Sequence, residues 1–127
     1  MAATAFLGQA MRLEKQITAL RERQLTYLKL GLSCGEEGRE RMRALAAEIE
    51  ARVAAYARKV RQVEAVIDAV EEPRYREVLR YHYLNGWSMR RIAGELGYSV
   101  DWVYRLHRRA LRACGRTEGG ERVSAER

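Results

Sequence analysis

The sequence predicts an all-α protein, in which a long N-terminal helical hairpin or coiled coil precedes a C-terminal helix-turn-helix domain. Three observations carry that reading. Apolar residues recur at about 3.5-residue spacing along two stretches of the first half. A glycine-rich interruption separates those stretches. Beyond the single proline, Pro73, the pattern gives way to short amphipathic segments separated by turn and capping residues.

In the first stretch, Phe6, Ala10, Leu13, Ile17, Leu20, Gln24 and Tyr27 follow alternating steps of four and three. Leu45, Ile49, Val53, Tyr56, Val60, Val63, Ile67 and Val70 do the same after one initial four-four step. Stripes of this length argue for helices that pair along a seam. GLSCGEEG, residues 31–38, has no helical stripe and reads as a turn or loop. Helices over about 5–30 and 39–71 are therefore expected, roughly 40 and 50 Å long at 1.5 Å per residue. They either fold on each other as an antiparallel hairpin or face a second chain. The seams are poor in leucine, which argues for self-association, with a dimer favoured.

Glu71-Glu72-Pro73 ends the second long helix, because the residue before proline disfavours helical angles. A third helix is expected over about 74–84, followed by a turn at Asn85-Gly86. Tyr81 and Tyr83 read as core and helix-edge residues, and Trp87 as a plug at the junction between helices. Ser88 can cap a helix over about 89–96 and Ser99 another over about 100–114. Between them Gly97 suits the left-handed backbone that stops a helix abruptly. Ala93 is small enough for two helices to cross closely. Three parts follow: 1–72 as an oligomerisation or partner-binding hairpin, 73–114 as the helix-turn-helix, and 115–127 as a polar, disordered tail.

Charge singles out the middle part. The net charge of the chain is +7. Residues 73–116 alone hold ten arginines against Glu77, Glu95 and Asp101, whereas residues 1–72 hold 12 basic and 11 acidic residues. A concentrated cationic excess is an electrostatic footprint for a polyanion. Arg105, Arg108, Arg109 and Arg112 share the outer face of the last helix, and a capped helix with such a face fits a major groove. The plainer alternative is a solvated surface on a compact three-helix unit.

Residues 73–112 resemble region 4, the promoter-reading domain, of sigma-70-type factors. The matching landmarks are R-x-V-L-x-x-x-Y-L-x-G-x-S, I-A-x-x-L-G-x-S and V-x-x-L-H-x-x-A-L. The whole chain is similar to a family of small phage-encoded, sigma-region-4-like proteins that share the ending Y-S-x-x-W-V-Y-x-L-H-x-x-A-L, Tyr98 to Leu111 here. The resemblance implies that Val100, Asp101, Tyr104 and Arg105 read base edges. It assigns Ser88, Arg90, Arg91, Arg108, Arg109 and Arg112 to phosphates. Val100 and Trp102 depart from the polar residues usual at their positions, so the sequence read should differ from a housekeeping element. Trp102 is also a candidate for docking on a partner or on the N-terminal hairpin.

The expected function is sequence-specific binding of double-stranded DNA in phage or prophage transcription, the hairpin serving to dimerise the protein or hold it to RNA polymerase. The alternatives are a small terminase-like packaging subunit and a sigma-4-like protein-interaction module. No enzyme activity, metal or cofactor is expected. His82 and His107 lack metal-ligand spacing, with His82 read as packing and His107 as a polar surface or phosphate contact. Cys34 and Cys114 read as reduced thiols, and no segment reads as a membrane span or signal peptide, so the expected location is the cytoplasm of a bacterial host.

Overall fold

The computed structural model describes residues 2–118, with side chains described for 3–115. It is all-α, with no strand among the described residues. The order is α1 (Ala2–Lys29), α2 (Gly35–Asp68), α3 (Pro73–Leu79), a π-helical turn (Arg80–Leu84), α4 (Met89–Leu96) and α5 (Val100–Glu118). The elements of secondary structure change character at Pro73, but the compact units divide elsewhere. One unit is Arg12–Lys59; the other joins the residues up to Met11 with those from Val60 onward.

The Arg12–Lys59 unit is an antiparallel helical hairpin. Leu20 of α1 packs with Leu45 and Ile49 of α2, and Tyr27 lies against them. Arg52 donates to the Gln16 side chain near one end of the pairing. At the other, the Arg41 guanidinium stands 5.9 Å from the Tyr27 ring centroid. Val53, expected on the seam, is exposed instead. Each step of four residues overshoots a full turn by about 40°, so two such steps from Leu45 carry Val53 off the stripe. The seam passes through Arg52 and Tyr56, both half-buried.

The connection between the long helices is shorter than residues 31–38. Gly31 and Gly35 take positive φ of 73° and 75°, and α2 begins at Gly35. Gly38 thus belongs to the first turn of α2. A Cβ there would lie 2.4 Å from the Ser33 carbonyl carbon, so the close approach of helix and turn demands glycine. Arg41 Nη1 closes the turn by donating to the Leu32 carbonyl at 2.5 Å.

In the other unit the buried residues of α1 are Ala3, Leu7 and Ala10, and those at the end of α2 and just beyond it are Val63, Ile67 and Val70. Leu7, fully buried, replaces half-buried Phe6 on the expected stripe. This end of α1 belongs to the unit of α3–α5 and not to the hairpin, so its inward face is set by different neighbours. α2 stops at Asp68, three residues before the expected end. Arg76 Nη1 then donates to the carbonyls of Val70 (2.6 Å) and Glu71 (2.8 Å), and Arg80 pairs with Asp68 at 2.5 Å. The two Arg76 bonds satisfy backbone oxygens of the connection that follows α2, and the Arg80 pair ties the helix end to the next element.

The third helix is α-helical only as far as Leu79. Glu72 caps it, its Oε2 accepting from the Arg74 backbone N–H at 3.3 Å, with Pro73 at the first helical position. From Arg80 the backbone widens to π geometry, seen in the 3.0 Å bond from Asn85 N–H to the Arg80 carbonyl. The wider turn places Tyr83 in the core and leaves Tyr81 and His82 turned to Trp87. At the far end α5 runs through Gly115 to Glu118, so residues 115–118 extend the helix where a tail was expected. The rest of that tail lies outside the described residues.

Candidate nucleic-acid interface

Val78, Met89, Ile92, Ala93, Val103 and Leu106 form one buried cluster that clamps α3, α4 and α5 together. Ala93 sits within it, where its small side chain lets α4 and α5 approach. Ser88 Oγ accepts from Arg91 N–H and Ser99 Oγ from Trp102 N–H, each at 3.1 Å. Gly97 ends α4 in the left-handed conformation, φ 74°, and Tyr98 N–H reaches back to the Ala93 carbonyl at 2.9 Å. Two capped helices joined by a glycine stop and packed on a third make a rigid helix-turn-helix. Its second helix, α5, keeps one face outside.

That outer face carries Asp101, Tyr104, Arg105, Arg108 and Arg112, all exposed. Val100 differs from the other three residues expected to read bases: it is half-buried against the core cluster. Ser88, Arg90 and Arg91 are exposed at the start of α4. Asp101 stands four residues before Arg105, and Glu95 four after Arg91, yet neither pair closes as an ion pair. Among the described residues Arg90, Arg105, Arg108 and Arg112 form no ion pair, so their charge is available to an external anion.

Arg91 and Arg109 have a different environment. Trp87 stacks on Tyr81 with ring centroids 4.5 Å apart and planes within 6°, and the Arg91 guanidinium lies 4.0 Å from the Trp87 centroid. Arg109 stands 5.4 Å from the Trp102 ring. A guanidinium over a ring face is held by the π cloud while its in-plane N–H donors stay free. Sequence reasoning did not find these stacks. For Arg109 the signal lay in the spacing, since it follows Trp102 by seven residues on α5, whereas Trp87 precedes α4 and no helical spacing announced its contact with Arg91. Trp102 packs on the core cluster of the helix-turn-helix itself.

His107, expected as a polar surface or phosphate contact, is half-buried. Its Nε2 shares a 2.8 Å hydrogen bond with the Tyr83 hydroxyl, and its ring lies 5.5 Å from His82. Burial, then the neighbouring His82 and Arg108, push its pKa down to about 4, so it is neutral near pH 7 and offers no charge to a phosphate. Burial pushes the Tyr83 hydroxyl up to about 12. His82 is half-buried, with Nδ1 2.8 Å from the Trp87 carbonyl oxygen. Among the described residues no three His, Cys, Asp or Glu side chains gather as a metal site would require, and no helix is long and apolar enough to cross a membrane.

Residues 72–114 match the family model described as Sigma-70, region 4. This segment is a sigma-70 region 4-like helix-turn-helix. The matched residues begin at the Glu72 cap and end at buried Cys114, so they take in α3, the π turn, α4 and the packed part of α5. The match suggests a helix-turn-helix of the DNA-binding kind. A search of curated proteins and one of solved structures each returned no match.

Proposed function

We propose that the protein binds double-stranded DNA sequence-specifically and regulates phage or prophage transcription, with α5 in the major groove. The observation that carries this reading is the exposed arc of α5. Asp101, Tyr104 and Arg105 stand on its first turns and Arg108 and Arg112 further on, with no ion pair among the described residues, on a helix whose opposite face is locked into the core. A rigidly mounted helix presenting donors, an acceptor and an aromatic edge can read bases, and the cations beyond can hold the backbone. The region 4-like fold supports RNA polymerase as a second partner, with the Arg12–Lys59 hairpin as the docking or dimerising element. Four leucines near its turn (Leu25, Leu28, Leu30 and Leu32) are exposed.

Selection of the full-length protein on a randomised duplex library at moderate salt tests this. One enriched motif is expected, and its symmetry would report whether one or two modules engage. Salt-sensitive binding without enrichment would overturn base reading and leave specificity to a protein partner.

A further inference from the structure

Two arginines from different helices converge on one indole. The Arg109 guanidinium, on α5, stands 5.4 Å from the Trp102 ring centroid, and that of Arg74, on α3, stands 6.0 Å from it. Arg109 has no ion pair among the described residues, and Arg74 has a single carboxylate partner, Glu72, at 3.0 Å. Two cations therefore share one ring with one neutralising anion, which leaves net positive charge at this spot. At about 100° per residue, Trp102 and Arg109 fall together on the edge of α5 that borders the exposed arc of Asp101 and Arg105. Packing against the core fixes the ring, so the indole acts as a mount for the guanidinium groups. A cation held by its face spends no N–H donor on the ring; Arg74 gives only its Nε–H to Glu72 Oε2, which leaves its terminal Nη donors, and those match the geometry of phosphate oxygens.

We infer that Arg74, Trp102 and Arg109 form a binding site for a phosphate of the DNA backbone, beside the groove that α5 enters, with Trp102 as a positioning residue. This adds Arg74 to the cations of the interface and gives Trp102 a reason to be aromatic at the edge of a recognition helix. It rests on the DNA-binding reading. A duplex phosphate is favoured over a carboxylate of a protein partner because the site adjoins the unpaired cationic arc of the same helix.

The test is a double-mutant cycle in the full-length protein, with duplex affinity measured across a salt series. Arg74→Gln should weaken cognate and scrambled duplex alike, by about 5–10-fold, and reduce the slope of log affinity against log salt by about one. Trp102→Leu changes no charge and should weaken binding by about 3–10-fold in the native background. In an Arg74→Gln/Arg109→Gln background the same substitution should cost nothing further, because no guanidinium remains to be positioned. Trp102→Phe, which keeps a ring face, should restore most of the affinity. Equal losses from Trp102→Leu in both backgrounds would make Trp102 a packing residue and overturn the site. An unchanged salt slope in Arg74→Gln would also overturn it, leaving the arginine pair to an acidic protein surface. If the unaltered protein bound no duplex at all, the DNA-binding reading would fail first and this inference with it.

Discussion

One set of arginines on α2 of the hairpin and another on α4 and α5 of the helix-turn-helix are used in opposite ways. In the hairpin Arg39 pairs with Glu36 at 2.7 Å, Arg43 with Glu40 at 2.5 Å, and Arg52 with Glu48 at 3.7 Å, each three or four residues along one helix. On α4 and α5 of the helix-turn-helix, Arg90, Arg105, Arg108 and Arg112 form no ion pair among the described residues, and Arg91 and Arg109 lie over tryptophan rings. Pairing on an exposed helix neutralises charge and steadies the helix by a few tenths of a kcal/mol. Leaving arginines unpaired on a tightly packed scaffold stores charge for an external anion. The difference follows from glutamate: residues 1–72 nearly balance their basic residues with acidic ones, and residues 73–116 do not.

The cores differ in the same direction, and the largest expected effect follows from that. Leu106 is fully buried among six residues, whereas Leu45 belongs to a cluster of three. Leu106→Ala should cost about 4 kcal/mol and abolish duplex binding, and Leu45→Ala about 2 kcal/mol, within the range for buried leucine truncations. Calorimetric melting of both variants measures the contrast, and equal losses would break it. Next comes Gly38→Ala, which puts a methyl group 2.4 Å from the Ser33 carbonyl carbon. A loss of about 1–3 kcal/mol is expected, confined to the hairpin. Unaltered duplex affinity with a lower melting temperature would show that the two regions are energetically separable.

At the interface, Arg105→Ala should cost about 1–3 kcal/mol at the cognate site and relax specificity there. Arg90→Ala should weaken all sequences alike and flatten the salt dependence by about one unit of slope. Identical behaviour of the two variants in competition binding would remove Arg105 from the base-reading set.

A pH effect of smaller size belongs to the helix-turn-helix alone. His107 has a folded pKa of about 4, below its ordinary 6.5, so the unfolded chain binds the proton more readily. Its contribution to stability is fully present above pH 6.5 and is lost as pH falls toward 4. Because the ring is partly exposed, solvent screening reduces the expected loss to about 1 kcal/mol. Tyr83, raised to about 12, acts in the opposite range, its contribution being lost as pH rises above 10. Urea titrations at pH 7 and pH 4.5 check the first effect, and His107→Gln should remove most of it.

How much was legible beforehand also divides between the two regions. The helix-turn-helix announces itself through residues with single steric jobs: Ser88 and Ser99 cap, Gly97 stops and Ala93 permits a crossing, each as read. The hairpin is legible as two paired helices, but its details depend on neighbours that periodicity does not name. Leu7 replaces Phe6 because the first turns of α1 pack in another unit, and Val53 leaves the seam through two successive four-residue steps. The π turn at Arg80–Leu84 escapes reading because one widened turn leaves no compositional mark. The candidate site was legible as a list of cations but not as an arrangement, since stacking on Trp87 and Trp102 depends on side-chain direction.

The smallest effect tests the comparison most directly. Arg43 reaches two carboxylates, Glu40 at 2.5 Å and Glu36 at 3.8 Å, and all three side chains are more than half exposed. In high dielectric such pairs add little, and holding long side chains in one geometry costs entropy. Arg43→Gln should therefore shift stability by less than about 0.5 kcal/mol. It should also leave duplex affinity and its salt slope unchanged, because that arginine's charge is already matched within the hairpin. A slope reduced by one unit would place the hairpin on the DNA. The opposition between a paired, structural set of arginines and an unpaired, binding set would then fail.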